Sequence, residues 1–170
     1  MEGFLFPDTY DFYAGSTPRE ALGKMLLGFE ARIEQEDMEA KLAVLNNRLS
    51  GMMAKNGCSQ SFINENQIGV RELLIVASLI EEETATVLES KDIASVIYNR
   101  LTQDQVYERY LGIDATILYA LGYHKDELTK EDLAIDSPYN TRKAFGIPPG
   151  PICNPGAYAL YAALDPNENN

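Results

Sequence analysis

The chain has 170 residues, 45% of them hydrophobic, enough for one domain with a sizeable core. Lys and Arg number 14 against 26 Asp and Glu, and the resulting formal charge of −12 repels phosphate backbones and anionic membrane surfaces. That balance argues against nucleic acid as a partner, and a lone His124 with two unclustered cysteines, Cys58 and Cys153, argues against a His/Cys zinc site.

Residues 1–16 mix aromatics with Pro7 and Gly15 and read as an irregular, aromatic-rich opening. Thr17-Pro18-Arg19-Glu20 has capping-box spacing with proline at the first helical position. Leu22, Met25, Leu26, Phe29 and Ile33 follow at helical period, then Leu42, Leu45, Leu49 and Met52 up to a stop at Gly57. The two stretches predict a helical hairpin or one long bent helix. Residues 58–69 are polar and read as a loop. From Val70 the chain is apolar on nearly every side through Ile80, the pattern of a buried helix. This run, Leu73 to Ile80 at its most apolar, is far short of the roughly 20 residues a bilayer span needs.

Ser90 reads as the cap of a further helix carrying Ile93, Val96, Ile97 and Leu101. Tyr107 to Tyr110 suggests a short strand, and Asp114-Ala115-Thr116 the cap of a helix through Tyr119. Residues 123–156, rich in Pro, Gly and Asn, form a long loop of the kind that usually carries function. A last helix is expected from Ala157 to Leu164. The expected fold is α+β, a helix-rich single domain with a minor β-sheet and a long Pro/Gly-rich loop at the cleft. Cys58 and Cys153 lie far apart in sequence and are expected to stay unbonded to each other.

Glu81-Glu82-Glu83-Thr84 stands directly after the buried run. Carboxylates at a helix C-terminus oppose the macrodipole, and hydrocarbon around them raises a carboxyl pKa. Glu83 lies three, four and seven residues from Ile80, Leu79 and Val76, and so shares their apolar face. Glu82 sits over Ser78 and is expected to face water. Glu81, over Ala77 and Leu74, is the weaker rival. The plain alternative is that all three solvate a helix end. A protonated Glu beside a cleft is what glycosidic-bond cleavage needs, since the leaving oxygen must gain a proton as the bond breaks.

Ala77-Ser78-Leu79-Ile80-Glu81-Glu82-Glu83-Thr84 resembles the Ala-Ser-Ile-Ile-Glu-x-Glu-Thr signature of the endolytic murein transglycosylase (YceG-like, MltG-type) family. Glu2 to Tyr10 resembles the family's opening motif, and Val96-Ile97-Tyr98-Asn99-Arg100-Leu101 its next helix. Asp114-Ala115-Thr116 resembles its Asp-Pro-Thr, with Ala115 in place of proline. Ser137-Pro138-Tyr139-Asn140-Thr141, Gly146 to Ile152 and Asn154-Pro155-Gly156 resemble its closing loop.

The resemblance implies a lytic transglycosylase that cuts the MurNAc–GlcNAc β-1,4 bond of peptidoglycan glycan strands and forms 1,6-anhydro-MurNAc. It implies Glu83 as the acid/base residue and Glu81 as its support. Asp114, Thr116, Tyr139, Asn140 and Thr141 are the expected substrate-binding residues, with helix capping and turn formation as their plain alternatives. No metal or organic cofactor is implied. Two other readings stay open: a muramidase-type hydrolase using the same Glu, and a non-catalytic peptidoglycan-binding or divisome scaffold. Both chain ends read as cut from something longer. The family begins earlier, with a membrane anchor and a LysM-like domain, and continues into a strand-forming segment. A full-length protein is thus expected at the plasma membrane, its catalytic domain outside and cell-wall synthases among its partners.

Overall fold

The computed structural model describes residues 1–35 and 37–168. Among the described residues eight α-helices follow in chain order: α1 (Pro18–Gln35), α2 (Met38–Lys55), α3 (Gln60–Glu65), α4 (Val70–Glu83), α5 (Ser90–Leu101), α6 (Asp114–Leu121), α7 (Lys130–Leu133) and α8 (Ala157–Leu164). The described residues are 57% helical, and no strand occurs among them. The expected α+β fold with its minor sheet is therefore wrong.

The reason lies in the Tyr107–Tyr110 segment, which forms a 3-10 turn over Val106–Arg109. The neighbouring closing loop meets it through isolated backbone bonds, Gly146 N–H to the Arg109 carbonyl at 2.9 Å and Gly112 N–H to the Thr141 carbonyl at 3.1 Å. Single bonds at that separation build no ladder. The polar stretch 58–69 also departs from the loop expectation. Ser59 caps α3 by accepting from Phe62 N–H at 3.2 Å, and Ile63 turns inward.

Helix α4 is the centre of the molecule. Every residue from Leu73 to Ile80 is buried, and α5, α6 and α8 pack around it. Each large apolar side chain buried in this way contributes about 1.5–3 kcal/mol. Glu72 secures the start of the helix, its Oε2 accepting from Gly69 N–H at 3.1 Å. Helix α8 approaches closely because its inner face is built from Ala159, Ala162 and Ala163. Tyr98 of α5 donates its buried hydroxyl to the Ala163 carbonyl at 2.9 Å, tying α5 to α8.

The outer helices obey local rules. Thr17 and Glu20 complete the capping box at α1, with Thr17 N–H on Glu20 Oε2 at 2.7 Å and Glu20 N–H on Thr17 Oγ1 at 3.3 Å. α1 and α2 are separate helices, with Asp37 in the left-handed region at φ 47° just before α2. The aromatic opening is pinned to the closing loop by Asn154, whose Oδ1 accepts from Gly3 N–H at 2.7 Å and Leu5 N–H at 3.2 Å. Gly3 has φ 87°, and a Cβ there would lie 2.5 Å from Pro151 Cγ, so glycine is required. Cys58 and Cys153 are both free thiols.

Candidate active site

α4 ends at Glu83 because Thr84 turns extended, its hydroxyl bonded back to the Ile80 carbonyl. Three carboxylates thus emerge where the buried helix reaches the surface. The structure gives each a different neighbour.

Glu83 stays open to solvent as a residue, yet its carboxyl is the one displaced from ordinary behaviour. Burial of the group raises its pKa first, and the negative charge of Asp114 raises it further. A hydrogen bond from the Ala115 backbone N–H and the charge of Arg142 pull in the opposite direction. The net shift is upward, toward the protonated acid.

Glu81 points elsewhere. Its Oε2 accepts from Gly156 N–H at 3.0 Å and so fixes the start of α8. Glu82 is exposed, as expected, and also receives the thiol of Cys153. Burial first, then the charge of and hydrogen bond to Glu82, push that thiol up, so it stays protonated. Cys153 also reaches the Ser78 carbonyl at 3.5 Å, and Ser78 Oγ accepts from Ile152 N–H at 3.0 Å. The closing loop is in this way fastened along the flank of α4.

Asp114 opens α6 beside Glu83. Arg142 clamps it, with Nε at 3.0 Å and Nη2 at 2.6 Å from the same carboxylate oxygen. Both side chains are about half exposed. Sequence reasoning missed Arg142, for its position just after the Tyr139-Asn140-Thr141 motif gives no sign of a partner so far upstream.

The remaining expected substrate-binding residues divide by burial. Thr116 and Asn140 are 0% exposed and Thr141 1%. Thr141 Oγ1 accepts from Ile113 N–H at 2.9 Å and lies 3.0 Å from Thr116 Oγ1. Asn140 Nδ2 donates to the Leu133 and Ile135 carbonyls at 3.1 and 2.9 Å. These three side chains face inward and tie the closing loop to α6 and α7; they do not line the cleft. Tyr139 is half-buried, its ring centroid 4.7 Å from that of Tyr119. Tyr119 in turn donates to Glu2 Oε2 at 2.5 Å, which brings the opening segment to the same corner. His124, exposed beside Asp126, borders this corner too.

Two depressions flank the end of α4. One, of 190 Å³, holds Glu82, Ala115, Tyr119 and Tyr123. The other, of 480 Å³, runs from Glu83 between α5 and the Leu111–Ile113 segment. The arrangement places a carboxyl inclined to hold its proton, with an N–H to orient it, in the larger depression, while Glu82 and Ala115 line the smaller one. Such a group can donate a proton to a bond laid across it and recover one afterwards.

A helical domain with a poised acid at the end of its buried central helix is the core that these observations define. The model of the YceG-like family matches residues 1–170, and the chain belongs to that family. It is 38% identical over its whole length to the endolytic murein transglycosylase of Bacillus subtilis, of which it spans 40%. It is 31% identical to the protein of the same name from Streptococcus pneumoniae strain D39, of which it spans 27%. A crystal structure of a YceG-like protein from Listeria monocytogenes superposes with a TM-score of 0.74 at 33% identity, covering 98% of this chain and 46% of that one. The chain therefore corresponds to less than half the length of these relatives.

Proposed function

We propose that residues 1–170 form the catalytic domain of an endolytic lytic transglycosylase of peptidoglycan, with Glu83 as its single acid/base residue. The observation that carries the reading is the desolvated Glu83 carboxyl, with Asp114 beside it and the Ala115 N–H on it, at the mouth of a groove. The names of the relatives, each an endolytic murein transglycosylase, support the substrate class.

In this mechanism protonated Glu83 gives its proton to the glycosidic oxygen as the MurNAc C1–O bond breaks and the GlcNAc hydroxyl departs. Positive charge develops at C1 and the ring oxygen. The Glu83 carboxylate then removes the proton from the C6 hydroxyl, and O6 bonds to C1, closing the 1,6-anhydro ring. No water is consumed, and Glu83 ends protonated as it began. The Ala115 N–H holds the carboxyl through both transfers. Asp114, beside Glu83, and Tyr139, packed on Tyr119, are assigned to contact the glycan. Thr116, Asn140 and Thr141 act by positioning the loop, and Glu81 by positioning α8. A longer parent protein would carry this domain outside the plasma membrane, near cell-wall synthases. Among the described residues no helix is long and apolar enough to cross a membrane.

Digestion of glycan strands in heavy-oxygen water tests the chemistry. Anhydromuramic ends without label are expected. Label at the new terminus would mean hydrolysis, and intact strands would favour the scaffold reading. Glu83→Gln keeps the shape of the side chain but cannot transfer a proton, so turnover should fall by at least about a hundredfold. Glu81→Gln should fall less, through slackening of α8, and Glu82→Gln least.

A further inference from the structure

The two depressions beside Glu83 differ in chemistry. The smaller one offers Tyr119 and Tyr123, the flat rings on which sugar faces stack. The larger one has neither an aromatic ring nor a side-chain amide among its described lining residues. Its floor is aliphatic, including Ile93, Val96 and Leu111, and its rim carries Glu89 and Asp92 on one side and Arg100 further along α5. A bare sugar can hydrogen-bond to these charged groups, but it brings no opposite charge to pair with them and no aliphatic chain for the floor.

The charges are held in place. Arg100 donates through Nη1 to the Leu111 carbonyl, which anchors the guanidinium at the groove while leaving it further donors. Asp92 accepts from Asn167 Nδ2 at 2.7 Å, which fixes its carboxylate from outside. Glu89 is exposed at the start of α5. Glu89 and Asp92 suit an amine on the occupant, Arg100 a carboxylate, and the aliphatic residues some apolar surface. At 480 Å³ the space falls within the range of about 300–1,000 Å³ typical of small-ligand sites.

The stem peptide of peptidoglycan has this composition. It carries alanyl methyl groups, free carboxylates and the amine of a diamino acid, and it hangs from the muramic residue whose C1 must sit at Glu83. Resting on the activity reading above, we propose that the α5 groove is a stem-peptide subsite, with Glu89 and Asp92 meeting the diamino acid's amine and Arg100 a peptide carboxylate. The domain would then read strands that still carry their peptides in preference to strands stripped of them.

The test compares kcat/KM on peptide-bearing strands, on the same strands with amines acetylated, and on strands stripped by an amidase. Two exposed charge pairs should favour the peptide-bearing strands by about tenfold. Acetylation, Glu89→Gln or Arg100→Gln should each cut that ratio by about threefold. Equal rates on intact and stripped strands would overturn the subsite while leaving the transglycosylase reading intact. Binding is read separately from turnover, by titrating the free stem tetrapeptide into the 15N-labelled chain. Shifts at Ile93, Val96, Arg100 and Gly112 that fade in Glu89→Gln are expected even if no strand is cleaved. A titration that leaves those amides unmoved would remove the subsite.

Discussion

Glu83 was legible in the sequence because it breaks a local rule, an acid sharing the apolar face of a helix end where the dipole also opposes it. The electrostatics around it were not legible. Arg142 and Asp114 meet only after the closing loop has folded back on α6. Thr116, Asn140 and Thr141 stood out as a motif, but whether a polar side chain faces a cleft or a core depends on tertiary packing, which spacing does not encode. The pair Asp114–Arg142 yields a signed expectation. In the proposed mechanism the working acid is protonated Glu83, so kcat/KM should decline as pH rises through its pKa. Asp114→Asn removes a charge that raises that pKa, and the declining limb should move to lower pH. Arg142→Gln removes an opposing charge and leaves Asp114 uncompensated, so the limb should move to higher pH. Shifts of both variants in one direction would show that these charges do not act on Glu83. Stability follows the same shift. The folded pKa lies above the unfolded one, so the Glu83 contribution to stability is complete below the unfolded carboxyl pKa and lost as pH rises through the folded pKa. Glu83→Gln is expected to raise the melting temperature at neutral pH, a gain that closes as the solution is made acid. A neutral-pH loss of stability in this variant would contradict it.

Elements with a strong local code were read correctly. The Thr17–Glu20 capping box starts α1, the all-round apolar run is α4, and α8 spans Ala157–Leu164 as expected. The misreadings share a cause. A strand exists only through its neighbour, and Val106–Arg109 finds no ladder. α3 is polar on most sides and turns a single buried side chain, Ile63, inward, which left too faint a period to see. The opening segment is held by a different device, the Asn154 amide oxygen shared between Gly3 and Leu5. Asn154→Ala strands two part-buried N–H groups and should cost about 1 kcal/mol. The loss should be local, seen as faster proteolysis within residues 1–16 while the helical signal in circular dichroism is kept. Unchanged cleavage of that segment would mean that its other anchors, Phe6 buried under the Arg32 guanidinium and Glu2 bonded to Tyr119, hold it without Asn154.

At the scale of the molecule, one helix does two jobs. α4 supplies the core along its length and the acid at its end, so the site has no separate scaffold that can loosen while the core stays intact. Its neighbours are fastened to the same helix: Ser78 holds the closing loop, Glu81 the start of α8, and the Ala115 N–H at the start of α6 rests on Glu83. Unfolding and inactivation are therefore expected to be one event. Leu73 is 0% exposed and ten residues upstream of the acid, out of reach of the chemistry. Leu73→Ala should cost about 2–5 kcal/mol through lost contact and a residual cavity. For a chain of this size that corresponds to a fall in melting temperature on the order of 10 °C. Below its transition the variant should keep near-native kcat and an unshifted pH profile. Heated, it should lose activity and helical signal along a single curve, displaced from the wild-type curve by the same amount for both probes. Activity that disappears well before the helical signal would show that the cleft opens independently of α4, and that the acid is held by its loops instead of by the core.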